Sequence, residues 1–212
     1  MPSCKYDHKQ GLFCRQIGHY KDKAIKKIHW QATLLHPDNR DKLSTAIYYS
    51  QKKTRSILNI IALDTSGSTL VSEQLSKTKA VVQSLCQFFY QKRQRIALLS
   101  FGNQQYQWLI TDSKAPANID ALLASIQAGG GTPLREALLE VERYIAKRKQ
   151  SKPMEKRKFF LISDVRSRDN VDDIALIETE VWVLDSENSE IRLNKAQALA
   201  MHWKANYLRL FE

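Results

Sequence analysis

Residues 56–68, Ser-Ile-Leu-Asn-Ile-Ile-Ala-Leu-Asp-Thr-Ser-Gly-Ser, decide the predicted fold. The first eight form a nearly continuous apolar run, which is typical of a parallel strand that is covered on both faces. The last five begin with Asp64 and place hydroxyl groups at Ser66 and Ser68. We therefore predict a central parallel strand that ends in a turn rich in oxygen atoms.

Apolar strands and amphipathic helices alternate from residue 56 onward. The predicted strands are 56–63, 95–101, 159–163 and 180–184, with a short edge strand at 106–111 and a closing strand at 207–210. The predicted helices are 73–91, 119–126, 133–149 and 191–201, and 170–178 is either helical or irregular. This alternation predicts an α/β fold with a doubly wound, mostly parallel sheet flanked by helices.

The positive charge is concentrated in the N-terminal part of the chain. The 212 residues carry a formal charge of +11, and residues 1–55 hold 12 Lys and Arg against 4 Asp and Glu. The charges of residues 56–212 are nearly balanced, with 21 Lys and Arg against 18 Asp and Glu. We expect a basic N-terminal extension at 1–55, packed on or docking beside a domain at 56–212.

The composition indicates a globular protein. Hydrophobic residues make up 43% of the chain and charged residues 26%, which is enough apolar material for a buried core. No apolar run has the roughly 18 residues of a membrane helix, and the N-terminus does not resemble a secretory signal. We therefore expect a cytoplasmic protein without a membrane span.

Polar residues in three segments fall where a doubly wound sheet binds its ligands, outside the carboxyl ends of the strands. Asp64, Ser66 and Ser68 follow the central strand, Thr132 lies in the Gly-rich loop 129–133, and Asp164 follows another apolar strand. Each segment alone has an ordinary explanation as a helix cap, a helix entry or a turn. Together they offer only oxygen ligands, which suit Mg²⁺, with Mn²⁺ as an alternative ion. We predict an incomplete metal site that accepts a carboxylate from a partner protein.

These five residues, in this order, resemble the metal-ion-dependent adhesion site of the von Willebrand factor A domain. That site is built from an Asp-x-Ser-x-Ser turn, a distant Thr and a distant Asp. The resemblance implies a Rossmann-like fold for residues 56–212 and a metal centre at Asp64, Ser66, Ser68, Thr132 and Asp164.

A narrower resemblance links the chain to the C-terminal part of magnesium chelatase D subunits and related cobalt chelatase subunits. It rests on the segments 129–134, 164–170 and 28–34, the last with the sequence Ile-His-Trp-Gln-Ala-Thr-Leu. The third element departs from the family pattern, because Val165 replaces a Gly and residues 167–169 lengthen the path to Asn170. The family's AAA+-like domain and acidic, Pro-rich linker do not precede the A domain here, so we expect a stand-alone A-domain subunit.

The resemblance implies a metal-dependent adaptor that couples an AAA+ ATPase to a large metal-inserting chelatase subunit. Insertion of Mg²⁺ or Co²⁺ into a tetrapyrrole would then be the chemistry of the complex. We assign no catalytic residue to this chain and no further cofactor.

Three alternatives rank below this interpretation. The first is an A-domain partner of another, MoxR-like, AAA+ ATPase outside tetrapyrrole metabolism. The second is nucleic-acid binding, which is suggested by the basic N-terminal extension and by the Lys- and Arg-rich stretch 143–158. The third is an enzyme. The sequence does not favour it, because it contains no Gly-x-Ser-x-Gly elbow and its five histidines do not have the spacing of metal ligands.

Overall fold

Two units make up the chain, residues 1–54 and residues 55–212. This computed structural model describes residues 26–28, 30–39, 46, 48–50, 56–66, 71–126, 129–176, 178–189 and 192–211. In the first unit, strands β1 (Lys26–Ile28) and β2 (Tyr48–Ser50) pair antiparallel. Helix α1 (Trp30–Leu34) and a 3-10 helix (Pro37–Asn39) lie between them in sequence. The expected docking of the basic extension beside the domain stays a prediction.

The second unit contains a six-stranded sheet with the strand order β5-β4-β3-β6-β7-β8. The strands are β3 (Ile57–Asp64), β4 (Arg95–Gly102), β5 (Gln105–Lys114), β6 (Lys156–Ser163), β7 (Glu180–Asp185) and β8 (Asn206–Arg209). All neighbouring pairs are parallel except β4 and β5. The predicted doubly wound, mostly parallel sheet is confirmed.

Helices cover both faces of this sheet. They are α2 (Val71–Gln91), α3 (Asp120–Ala124), α4 (Leu134–Ser151) and α5 (Lys195–His202). Side chains of β3 alternate between two apolar layers, with Leu58 and Ile60 packed on the α4 and α5 side and Ile61 and Leu63 on the α2 and α3 side. This arrangement explains why the strand is apolar at nearly every position. None of the helices in the described ranges is long and apolar enough to cross a membrane.

Several elements differ from their predicted bounds, among them β6, which begins at Lys156 and not at residue 159. Strand β5 is ten residues long, whereas six were predicted. Its additional, largely polar residues are in the strand because they pair antiparallel with β4, and not because they are buried. The described residues of 170–178 are irregular with short turns, which is one of the two predicted alternatives, and Val171 and Ile174 among them are buried. Helix α5 begins at Lys195, later than the predicted residue 191, because Asn194 adopts a left-handed conformation with φ of 52°.

Part of the basic stretch 143–158 is buried in an ion-pair network. The Arg148 side chain is 10% exposed and its Nη2 lies 2.6 Å from Oε1 of Glu155, whose side chain is 1% exposed. Arg148 also pairs with Asp112, which further binds Lys152 at 3.1 Å. Burial opposes ionisation of Asp112, but hydrogen bonds from Arg148, Arg95 and Lys152 prevail and hold its pKa well below the usual range. Arg148 is therefore a structural cation and is not available to a phosphate backbone.

We expect Arg148→Met to lower the free energy of unfolding by about 3–5 kcal/mol, because it leaves the buried Glu155 carboxylate without its partner. Urea unfolding followed by circular dichroism measures this loss. The matched control is Lys147→Met, which removes an exposed cation from the same helix and is expected to change stability by at most about 0.5 kcal/mol. Equal losses in the two variants would contradict a structural role for Arg148.

Candidate metal centre

The predicted ligands lie where the winding of the sheet reverses. Strand β3 is followed in sequence by β4 on one side, and its neighbour on the other side is the later strand β6. The two parallel strands end together, since Leu63 pairs with Ile162. Asp64 and Ser163, the last residues of these strands, therefore lie side by side at the crevice where doubly wound sheets bind ligands.

Asp64 is held by hydroxyl and amide donors on both carboxylate oxygens. Its Oδ1 accepts hydrogen bonds from the backbone N–H of Ser66 at 2.8 Å and from Ser66 Oγ at 2.5 Å. Its Oδ2 accepts a hydrogen bond from Ser163 Oγ at 2.5 Å. The Asp-x-Ser spacing favours this geometry, because an Asp side chain readily bonds the backbone two residues ahead. The result is a carboxylate with a fixed orientation.

The Gly-rich loop reaches this carboxylate through the backbone. The Gly129 N–H donates to the Thr65 carbonyl at 3.1 Å, and Gly129 forms an isolated parallel bridge with Ser66. Thr132 Oγ1 then donates to Ser66 Oγ at 2.6 Å. Two residues that are 66 positions apart thus join in a relay of hydroxyl groups that ends on Asp64.

Glycine is required where the loops cross. A Cβ atom on Gly102 would lie 2.3 Å from Thr65 Oγ1 and 3.0 Å from the Ser66 nitrogen. On Gly129 it would lie 2.4 Å from the Cβ of Asn103. The close approach of these backbones keeps Thr65 and Ser66 in the position that the hydroxyl relay needs.

Asp164 faces the same small cavity as Asp64 and Ser66. This cavity has a volume of about 20 Å³, room for about one water-sized species, and its further lining includes Gln74, Leu75, Thr78 and Ser186. Asp164 Oδ1 accepts the backbone N–H of Arg166 at 3.1 Å, and Arg166 Nε lies 3.7 Å from Oδ2. The second carboxylate is thereby oriented from its own loop.

Burial works against the charges at this site. It raises the pKa of Asp64 to about 6, although hydrogen bonds from Ser163 and Ser66 act in the opposite direction. It also raises the pKa of Asp164, in spite of the backbone N–H and the charge of Arg166. Two carboxylates that share a partly desolvated cavity are stabilised in their charged form by a cation. The electrostatics therefore fit a bound metal ion.

The donor set also fits a hard divalent cation. Asp64 and Asp164 supply carboxylate oxygens, and Ser66 and Thr132 supply hydroxyl oxygens, which are the ligands that Mg²⁺ and Mn²⁺ accept. Among the residues that the structure describes, no group of three or more His, Cys, Asp or Glu could hold a metal. The candidate centre thus depends on hydroxyl groups as well as carboxylates.

Four of the five predicted ligands come together. Asp64, Ser66 and Thr132 are connected by hydrogen bonds, and Asp164 lines the cavity with the first two. Ser68 lies outside the described residues. The assignment of all five as metal ligands stays a prediction.

Sequence reasoning missed the role of Ser163. This residue is fully buried, donates to Asp64 and accepts the Val165 N–H at 2.9 Å. Its signal in the sequence is a hydroxyl residue that ends the apolar run 159–162, directly before Asp164. Ser163 couples the orientation of Asp64 to the loop that carries Asp164.

The family of the chain is shown by comparison with known proteins. The family model of the von Willebrand factor type A domain matches residues 59–166, about half of the chain. The chain belongs to this family. Its sheet order and the polar strand ends described above are in keeping with that membership.

Two curated relatives extend the comparison. An uncharacterised protein of Mycobacterium tuberculosis is 26% identical over 163 residues, covering 72% of this chain and 26% of that protein. The magnesium-chelatase 67 kDa subunit of Chlorobaculum parvum is 31% identical over 157 residues, covering 71% of this chain and 23% of that subunit. The chain spans about a quarter of the length of these relatives.

A solved structure supports the fold. The manganese-loaded TRAP protein of Plasmodium vivax superposes with a TM-score of 0.60 over 73% of this chain and 68% of that chain, at 13% identity. At this level of identity the likeness is one of fold.

We expect Asp64→Asn to stabilise the metal-free protein at neutral pH. The pKa of Asp64 is raised from 3.8 to about 6, so the charged carboxylate destabilises the fold progressively as pH rises through this window. The full penalty is about 3 kcal/mol above pH 6, and the Asn side chain avoids it. Thermal unfolding in EDTA should show the variant more stable than wild type at pH 7, with the difference vanishing near pH 4. A difference that does not depend on pH would contradict this origin.

We expect Ser163→Ala to weaken Mn²⁺ binding by about 10–100-fold, because the Asp64 carboxylate loses the donor that orients it. Titration of Mn²⁺ followed by electron paramagnetic resonance measures the affinity. Ser84→Ala is the control, since Ser84 is exposed on α2 and its hydroxyl donates to the Ala80 carbonyl of the same helix. Equal Mn²⁺ affinities for the two variants would refute the orienting role.

Proposed function

We propose that this chain is a metal-dependent protein-interaction adaptor. Mg²⁺, or Mn²⁺ in its place, would be held by Asp64, Ser66, Ser68, Thr132 and Asp164 and would accept a carboxylate from a partner protein. The observation that carries this proposal is the hydroxyl relay from Thr132 through Ser66 to Asp64, beside the second carboxylate of Asp164. Such a site supplies few charged ligands, so a partner's Asp or Glu completes it.

The partners we propose are those of a chelatase-type complex. The similarity to a magnesium-chelatase subunit favours an AAA+ ATPase on one side and a large metal-inserting subunit on the other. In such a complex this chain would connect the motor to the subunit that performs metal insertion, in the cytoplasm. The chain itself contributes binding, and the metal inserted into the tetrapyrrole is a substrate distinct from the ion at the candidate centre.

A second candidate is an A-domain partner of a MoxR-like AAA+ ATPase. It uses the same metal centre and the same mode of binding, and it differs only in the partner. The family membership of residues 59–166 is compatible with both candidates.

Nucleic-acid binding ranks lower. Within the basic stretch 143–158, Arg148 and Arg157 are buried and Lys149 and Lys158 are paired with Glu178 and Glu180. Because these four cations are buried or paired, the stretch offers fewer cations to a phosphate backbone than its composition suggests.

We expect binding to the partner subunits to require the metal ion. Biolayer interferometry with the chelatase AAA+ subunit, the large chelatase subunit or a MoxR-like ATPase should show binding in Mg²⁺ that EDTA abolishes. Asp64→Ala should weaken this binding by at least about tenfold, since it removes a carboxylate that holds the ion. The control is Asp120→Ala, which removes an exposed carboxylate at the start of α3.

The identity of the protein that binds distinguishes the two candidates. Binding to the chelatase subunits alone supports the chelatase-type complex, and binding to the MoxR-like ATPase alone supports the second candidate. Binding that is equally strong in EDTA and in the Asp64→Ala variant would refute the metal-bridged adaptor.

A further inference from the structure

An open groove of about 630 Å³ lies beside the candidate metal centre. One wall is formed by Gln104 in the turn between β4 and β5 and by Gln105 and Tyr106 at the start of β5. The other wall is formed by the start of α4, with Glu136, and by Asp169. Its volume is in the range of sites that bury several side chains or a small ligand.

Thr132 connects the groove to the candidate metal centre. This residue lines the groove, and its hydroxyl donates to Ser66 in the metal centre. The loop that begins at Asp164 also leads from one site to the other. In this loop the Ser167 hydroxyl bonds the Thr132 carbonyl at 3.4 Å and accepts the Asp169 N–H at 3.2 Å. A chain that leaves the metal centre along this loop therefore enters the groove.

The groove is acidic on a protein whose formal charge is +11. Its described lining contains the carboxylates of Glu136 and Asp169 and no Lys, Arg or His. The neighbouring cation, Arg135, is engaged elsewhere, because its guanidinium binds the Asp173 carboxylate through two contacts at 2.6 and 2.7 Å. Asp169 does accept the Arg135 backbone N–H at 3.4 Å, and the charge of Arg135 acts on both groove carboxylates. Among the described residues, however, no Lys or Arg side chain forms a salt bridge with Glu136 or Asp169, so a cation from a ligand would be favoured there.

The opposite wall suits an extended peptide with a basic side chain. Tyr106 is 39% exposed, and a tyrosine ring attracts Lys and especially Arg across its face. Gln104 and Gln105 are exposed amides that can donate to and accept from a peptide backbone. The same two carboxylates repel phosphate groups, so a nucleic acid does not fit this groove.

We propose that the groove binds an extended segment of the partner protein in which a Lys or Arg lies a few residues from the carboxylate that reaches the metal. The metal centre then selects the acidic residue, and Glu136, Asp169 and Tyr106 select the basic one. This inference rests on the proposed adaptor function for the acidic residue. The basic residue is a separate specificity element.

Short synthetic peptides test this proposal. The peptides carry one Asp and one Arg separated by one to four Gly or Ser residues, and in the matched series Ala replaces the Arg. Binding to the full chain in Mg²⁺ is measured by nuclear magnetic resonance titration up to millimolar peptide, and metal binding is measured separately with Mn²⁺. We expect at least one Arg peptide to bind about fivefold more tightly than its Ala counterpart, as for exposed ion pairs of up to about 1 kcal/mol.

Variants that neutralise the groove carboxylates test whether these residues cause the tighter binding of the Arg peptide. In Glu136→Gln/Asp169→Asn the advantage of the Arg peptide should disappear while Mn²⁺ binding persists. The control Asp120→Asn/Asp172→Asn removes the same charge from two exposed positions outside the groove and should keep the advantage. Equal binding of the Arg and Ala peptides to wild type, or an advantage that survives the groove substitutions, would overturn the proposal.

The metal dependence separates this proposal from the adaptor function. If the Arg advantage persists and the overall peptide affinity is the same in Mg²⁺, in EDTA and in Asp64→Ala, the groove proposal stands and the metal-bridged adaptor fails. If peptides bind through the metal without any Arg advantage, the adaptor stands and the groove proposal fails.

Discussion

The buried carboxylate of Asp64 is the constraint around which the site is built. An ionised carboxylate at the end of a covered strand is unfavourable, and its raised pKa reflects that cost. Ser66 and Ser163 offset part of the cost by donating to both oxygens. The nearby carboxylate of Asp164 adds to it. A divalent cation in the shared cavity would stabilise both charges at once, and this is why the geometry fits a candidate metal centre.

The fold places these groups by backbone contacts rather than by side-chain packing alone. Parallel pairing of β3 and β6 sets Ser163 beside Asp64, and the bridge between Gly129 and Ser66 carries Thr132 to the same point. Backbones that approach this closely leave no space for a Cβ atom at Gly102. A substitution at Gly102 or Gly129 would therefore act on the candidate metal centre without replacing a predicted ligand.

The total charge of the chain is a poor guide to its local electrostatics. The formal charge of +11 suggests anionic partners, yet Arg148 stabilises buried Glu155 and the groove beside the metal centre is acidic. Salt screens charges beyond a Debye length of about 8–10 Å at physiological ionic strength. The electrostatic potential at each surface is therefore set by the charged residues near it. The proposed partner, with a carboxylate for the metal ion and a cation for the groove, would match both local charges.

The sequence by itself determined the α/β fold, the central strand and four residues that the structure brings to one crevice, because apolar strands and terminal polar residues leave a pattern along the chain. It did not determine the length of β5, which depends on pairing with β4, or the role of Ser163. The burial of Arg148 and the groove formed by Tyr106, Glu136 and Asp169 were also decided only by the tertiary structure. The physical reason is that these features join residues far apart in sequence, and distance in space, not spacing along the chain, sets their hydrogen bonds and charges.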